Sequence, residues 1–115
     1  MASPIALVTG ASGFVGRQTL KPLESLGFKV IAPTHQACDL LDAAQTRALL
    51  AATRPSHILH CAWNVAHGRF WTAPDNLDWV AATLALARHA AGGGVRRFVG
   101  LGSCAEYDWS DGGAA

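Results

Sequence analysis

Short, uniformly apolar runs alternate along this chain with longer segments of helical period. Residues 5–8 (Ile5, Ala6, Leu7, Val8) are apolar at every position and lead into Thr9 and Gly10. A strand buried on both faces of a parallel sheet reads this way. Residues 14–26 follow as a helix, with Val15, Leu23 and Leu26 available to one face and Gly27 as its stop. Pro22 lies inside that segment and predicts a kink or a lost hydrogen bond. Residues 28–32 form the second strand, closed by Pro33. Asp42 opens the next helix, with Gln45 three residues on, as in a capping box. That helix carries Leu49 and Leu50 and ends before Arg54 and Pro55. Residues 57–62 are the third strand. A polar loop studded with aromatics, 63–74, then leads into a helix where Leu77, Val80, Leu84, Ala87 and Ala91 recur in steps of three and four. Gly92, Gly93 and Gly94 end it, residues 97–101 form the last strand, and the rest is a Gly- and Ala-rich tail.

Strands alternating with helices, without a repeat or a linker, predict right-handed βαβ units. The fold class is α/β: one Rossmann-type domain over residues 1–115, a doubly wound parallel sheet of about five strands that is incomplete at its C-terminal side. The 115 residues suit one compact domain. Half of them are hydrophobic and 15% are charged, enough for a core and too apolar for disorder. So low a charged fraction also implies apolar surface that meets another segment or subunit. A formal charge of +1, with no basic run beyond Arg96 and Arg97, argues against a nucleic-acid partner. The three cysteines Cys38, Cys61 and Cys104 share no zinc-ligand spacing and read as reduced thiols of a cytoplasmic protein. The first apolar run is far too short to cross a bilayer, so no membrane role is expected.

Residues 9–16 join the first strand to the first helix as Thr-Gly-Ala-Ser-Gly-Phe-Val-Gly. Gly10 can close a sharp turn. Gly13 removes a side chain where a diphosphate would approach a helix N-terminus, and Gly16 permits close packing of the helix. Free N–H groups and the positive end of the helix dipole would face the phosphates. The spacing is G-x-x-G-x-x-G, distinct from G-x-G-x-x-G, and no G-K-[ST] follows to make a P-loop. A tight strand–helix turn of purely structural purpose would use glycine too.

With these residues the chain resembles the extended short-chain dehydrogenase/reductases, the NAD-dependent epimerase/dehydratase family. The family fingerprint T-G-x-x-G-F-[IV]-G matches residues 9–16 in full. An Asp-Leu pair at 39–40, an H-x-A pattern at 60–62, and Ser103 at a strand exit followed by Tyr107 come in family order. The resemblance implies that Ser12, Phe14 and Val15 lie beside the diphosphate of a bound NAD or NADP. It implies that Asp39 hydrogen-bonds the adenine amino group and that Leu40 packs on the ring, although Asp39 also reads as the start of a loop. Cys61, Ala62 and Trp63 would border the nicotinamide half. The second strand ends without the acid that holds a ribose 2′-OH in NAD sites. His35 stands nearby and could pair with a 2′-phosphate, a slight lean towards NADP. Trp79 stands where the family often has Asn beside the nicotinamide ribose.

Family members move a hydride between a sugar carbon and nicotinamide, with a tyrosine phenolate as acid/base and a lysine four residues on lowering its pKa. Ser103 matches the hydroxyl that orients the reacting oxygen, and equally reads as a hydroxyl satisfying a strand end. Tyr107 is followed four residues on by Asp111, whose charge would disfavour a phenolate. No lysine follows Lys29, so Tyr-x-x-x-Lys is absent. The 115 residues alone are therefore expected to bind a dinucleotide without performing the redox step, the helix carrying that motif and a substrate lobe being expected beyond Ala115. The readings left are the dinucleotide-binding part of a nucleotide-sugar epimerase, dehydratase or reductase, a non-catalytic dinucleotide-binding module, or a scaffold. His57, His60, Cys61 and His67 are close in sequence, yet strand alternation separates His57 from His60 and no metal is expected. Trp63 and Trp71 read more as packing residues than as a stacking wall. The stripe on the 77–91 helix would lack a neighbour, which predicts self-association, a homodimer through this helix, or else a marginal and aggregation-prone monomer.

Overall fold

The structure is a computed structural model describing residues 3–63, 72–103 and 110. The apolar runs become four strands: β1 (Ile5–Thr9), β2 (Lys29–Ile31), β3 (His57–His60) and β4 (Arg97–Gly100). They pair in parallel in the order β2-β1-β3-β4, so the described sheet has four strands where about five were expected. Ala6, Leu7 and Val8 are buried because β1 is central, with strands on either side and chain above and below. β2 and β4 are the edges.

The helices are α1 (Leu20–Ser25), α2 (Ala43–Thr53) and α3 (Asn76–Gly92). From β1 the chain first steps to one side, to β2, and then crosses back over β1 to β3 and on to β4. Right-handed crossovers therefore put α1 on one face and α2 and α3 on the other. α2 and α3 do pack together, closing a core of Leu7, Leu50, Ile58, Leu86 and Ala90 flanked by Ile31, Leu49, Val95 and Phe98. Burial of a side chain such as Leu86 contributes about 1.5–3 kcal/mol.

The single helix expected over residues 14–26 is divided. A 3₁₀ turn at Gly16–Gln18 precedes α1, with Thr19 at the joint donating its hydroxyl to the Gly16 carbonyl at 2.7 Å. The division explains Pro22. It falls in the first turn of α1, where N–H groups have no helical acceptor, so no hydrogen bond is lost. Gly27, at φ 95°, ends α1 as expected: its N–H donates to the Glu24 carbonyl and that of Phe28 to the Leu23 carbonyl.

α2 starts at the expected cap, with Asp42 accepting from the N–H groups of Ala44 (3.0 Å) and Gln45 (3.4 Å). The box closes differently from the motif. Gln45 donates its amide to Asp42 at 3.1 Å and accepts from the N–H of Asp39 at 2.9 Å. These bonds hold the exposed Asp42 carboxyl below its usual pKa, the Gln45 side-chain bond contributing most.

α3 is the helix its period predicts, but the stripe of large apolar residues faces outward. Leu77 and Leu84 are 78% and 65% exposed and Val80 is also exposed, whereas Ala82, Leu86 and Ala90 are buried. Small residues on the inner face let the helix sit close to the sheet.

Candidate functional site

At the C-terminal ends of β1 and β3, where the winding direction reverses, the chain leaves an open cleft of about 950 Å³. This is where ligands bind in open α/β sheets, and the volume is that of a cofactor site. Its floor is the turn of residues 9–16. One wall carries Pro33, His35, Cys38 and Leu40, and the other carries Cys61, Ala62, Trp63, Trp79 and Thr83 with residues 100–103.

Each glycine of the turn does something different. Gly10 has φ 65°, and a Cβ there would lie 2.7 Å from the Ala62 nitrogen and from the Cys61 carbonyl carbon, so a side chain is excluded by both angle and space. A Cβ on Gly16 would collide with the Gly10 carbonyl oxygen. Close packing at Gly16 is thus against the turn itself, where a helix–sheet contact was expected. Gly13 is unlike either. Its backbone angle is ordinary, and a Cβ would meet only the Gly10 carbonyl oxygen at 3.2 Å, with open space beyond. Among the described residues no hydrogen bond engages the N–H groups of Ser12, Phe14 or Val15, all of which lie in the stretch that floors the cleft. Phe14 is exposed, with the Arg17 guanidinium over its ring at 5.6 Å.

Beneath the turn lies a buried polar chain. Thr9 Oγ1 accepts from the N–H groups of Cys61 (3.1 Å) and Ala62 (3.2 Å), which ties the ends of β1 and β3 together. The same oxygen lies 2.6 Å from His60 Nδ1, and His60 Nε2 lies 2.9 Å from Thr83 Oγ1 on α3. Burial pushes the His60 pKa below the ordinary histidine value, so the ring is held neutral. Burial raises the thiols of Cys38 and Cys61, with Asp39 and then Asp42 adding to the shift at Cys38. Neither is a thiolate nucleophile at neutral pH.

Of the residues picked out from sequence, Gly10, Ser12, Gly13, Phe14, Val15, Gly16, His35, Leu40, Cys61, Ala62, Trp63 and Ser103 all line the cleft. Asp39 does not. Its carboxylate accepts from the N–H of Leu41 at 3.0 Å through Oδ1. Trp63 stacks on Trp79 (centroids 6.1 Å apart, 27° between planes) and donates its indole N–H to Asn76 at 2.8 Å. An asparagine therefore does stand at the cleft, one helical turn before Trp79. Sequence reasoning missed Asn76, Cys38 and Thr83 as cleft residues, and met His60 in the H-x-A pattern and as a rejected metal ligand without giving it a place in the site. Its H-x-A setting was the one available signal. Among the described residues no three His, Cys, Asp or Glu side chains come together as metal ligands, and no helix is long and apolar enough to cross a membrane. Tyr107, Asp111, His67, Trp71 and Cys104 lie outside the described residues.

A four-stranded parallel sheet with a glycine-floored cleft at its strand reversal defines a Rossmann-type domain. The chain belongs to the NAD dependent epimerase/dehydratase family, whose model matches residues 6–114. It is 36% identical over 89 residues to dTDP-4-dehydrorhamnose reductase of Streptomyces griseus, covering 77% of this chain and 27% of that protein. It is 34% identical over 99 residues to methionine adenosyltransferase 2 subunit beta of Xenopus tropicalis, covering 78% of this chain and 30% of that protein. GDP-mannoheptose C4 reductase from Campylobacter jejuni, solved with NADP bound, shares the fold: TM-score 0.83 at 16% identity, over 96% of this chain and 34% of that one. The chain thus spans about a third or less of the length of these proteins.

Proposed function

We propose that this chain is the NAD(P)-binding part of a nucleotide-sugar reductase or epimerase. The observation that carries the reading is the bare turn at Gly13, whose side-chain space opens away from the protein on the floor of a cleft at the strand reversal. In this reading the diphosphate rests on the backbone of residues 12–16, where the uncommitted N–H groups of Ser12, Phe14 and Val15 supply the hydrogen bonds. The adenosine half lies along Pro33, His35, Cys38 and Leu40, and the nicotinamide half along Cys61, Ala62 and Trp63, with Ser103 at its end. The bound dinucleotide would supply the hydride donor or acceptor. The residues of this chain hold it, cover its faces and keep water from the β3 side.

NADP is preferred slightly. No carboxylate closes β2 to repel a 2′-phosphate, and His35 lines that wall. The similarity to an NADP-bound reductase supports the same choice. The substrate would be a nucleotide-linked sugar, as the names of several similar proteins indicate. Free Cys38 and Cys61 suit a reducing compartment such as the cytoplasm.

A second reading is a non-catalytic dinucleotide-binding module serving a larger assembly. It is favoured by the similarity to a protein named as the beta subunit of a methionine adenosyltransferase. In either reading the exposed Leu77, Val80 and Leu84 of α3 form a face for a second copy of the chain.

The test is calorimetric titration of NAD and NADP against the purified chain and Gly13→Asp. The introduced carboxylate fits the open space but sets a negative charge against the diphosphate. Binding weaker by more than about tenfold, or about 1.4 kcal/mol, is the expected result. Equal binding by the variant removes the glycine turn from the site.

A further inference from the structure

We propose that Thr83 is a positioning residue for the dinucleotide: a one-way hydrogen-bond chain through Thr9 and His60 leaves its hydroxyl proton to be given to an acceptor oxygen in the nicotinamide-ribose half. The inference rests on the reading of the cleft as a dinucleotide site and adds a contact to it.

The polarity of the chain follows from counting protons. A threonine hydroxyl has one proton and two lone pairs. Thr9 Oγ1 accepts from the N–H of Ala62 and from that of Cys61, the latter shared with the Thr9 carbonyl oxygen at 3.2 Å, so both lone pairs face donors. Its proton must therefore go to the remaining neighbour, His60 Nδ1, at 2.6 Å. Were Nδ1 protonated instead, it would be a third donor on an oxygen that has already filled both acceptor sites, and the Thr9 proton would have no acceptor. His60 is thus neutral and carries its proton on Nε2, which donates to Thr83 Oγ1 at 2.9 Å.

That leaves Thr83 as an acceptor from His60 with its own proton uncommitted. Threonines in or beside helices here otherwise turn the hydroxyl back on the helix. Thr53 donates to the Leu49 carbonyl at 2.7 Å, Thr46 to that of Asp42 at 3.3 Å, and Thr19 to that of Gly16 at 2.7 Å. Thr83 makes no such bond among the described residues, and it lines the cleft. It does so on the wall of Cys61, Ala62 and Trp63, across the glycine turn from His35 and Leu40. A diphosphate on the turn puts the sugar next to it, on the nicotinamide side, within this wall. Ribose hydroxyls and the carboxamide carbonyl are the acceptors there.

The experiment compares the chain with Thr83→Val, which keeps the shape and removes the hydroxyl, and Thr83→Ser, which restores it. NADP, NAD and ADP are titrated calorimetrically into each, and the His60 ring nitrogens are read by ¹⁵N NMR in the parent chain. Thr83→Val should weaken NAD(P) binding about threefold to tenfold, the worth of one neutral hydrogen bond. Thr83→Ser should bind within about twofold of the parent. ADP, which lacks the nicotinamide ribose, should bind all three alike, and His60 should show a protonated Nε2 and a bare Nδ1. Unchanged NAD(P) binding by Thr83→Val, an equal loss for ADP, or a protonated Nδ1 overturns the proposal and leaves the site reading standing. Failure of the parent chain to bind any of the three overturns both.

Discussion

Adding one methyl group at Gly10 and the same group at Gly13 should separate folding from binding. At Gly10 the φ of 65° costs an alanine about 1–2 kcal/mol. The new Cβ would also lie 2.7–2.8 Å from three backbone atoms of Cys61 and Ala62. Those atoms are anchored by Thr9, so relief requires moving the end of β3, an overpacking cost of about 1–3 kcal/mol. Gly10→Ala should therefore lose about 2–5 kcal/mol, a large part of the total for a domain of this size. Gly13→Ala meets one carbonyl oxygen at 3.2 Å in an ordinary backbone region and should lose less than about 1 kcal/mol. Urea unfolding followed by tryptophan fluorescence reads both, and the midpoint should fall markedly only for Gly10→Ala. Gly10→Ala within about 0.5 kcal/mol of the parent, or Gly13→Ala as damaging as Gly10→Ala, refutes this account of the turn.

Stability should also depend on His60. Its folded pKa is depressed by burial, so below the ordinary histidine value of about 6.5 the unfolded chain takes up a proton that the folded chain refuses. The His60 contribution is complete above that pH and is lost as pH falls below it, at up to about 1.4 kcal/mol per pH unit. Urea unfolding between pH 7.5 and about 5 measures the slope, and an NMR titration in which the His60 ring protonates at or above pH 6.5 contradicts it. Self-association through α3 should show as a dimer in sedimentation velocity at micromolar concentration, abolished by Leu84→Glu on the exposed face. A parent chain that stays monomeric there removes α3 as the contact.

Much of this molecule is legible in its sequence because the informative signals are local. The apolar run before Thr9 marks a central strand, Gly27 and Asp42 mark a helix end and a helix start, and the glycine spacing places the cleft floor. What was not legible depends on bonds that residue type and spacing leave open. Pro22 looked like a kink because nothing in sequence shows the helix restarting at Leu20 after a 3₁₀ turn. Asp39 carries a motif shared by an adenine ligand and a plain loop start. Its bonds to Leu41 and Gln45 order the loop and leave the second carboxylate oxygen to either role.

The rotation of α3 shows the same limit. Two sets of residues on this helix recur at helical spacing, the large one at steps of three and four (Leu77, Val80, Leu84) and a smaller one at steps of four (Ala82, Leu86, Ala90), and hydrophobicity favours the first as the inward face. The helix is turned the other way, and in that rotation Thr83 reaches His60, 23 residues earlier, which in turn reaches Thr9, 51 residues before it. Facing the large stripe inward would bury leucines and leave the imidazole N–H without a partner, a loss of about 1–3 kcal/mol at the one place where the sheet, the helix and the cleft meet. Alanines on the inner face also bring α3 close enough for that bond to form. The outward leucines give the domain an apolar face on the helix that also walls the cleft.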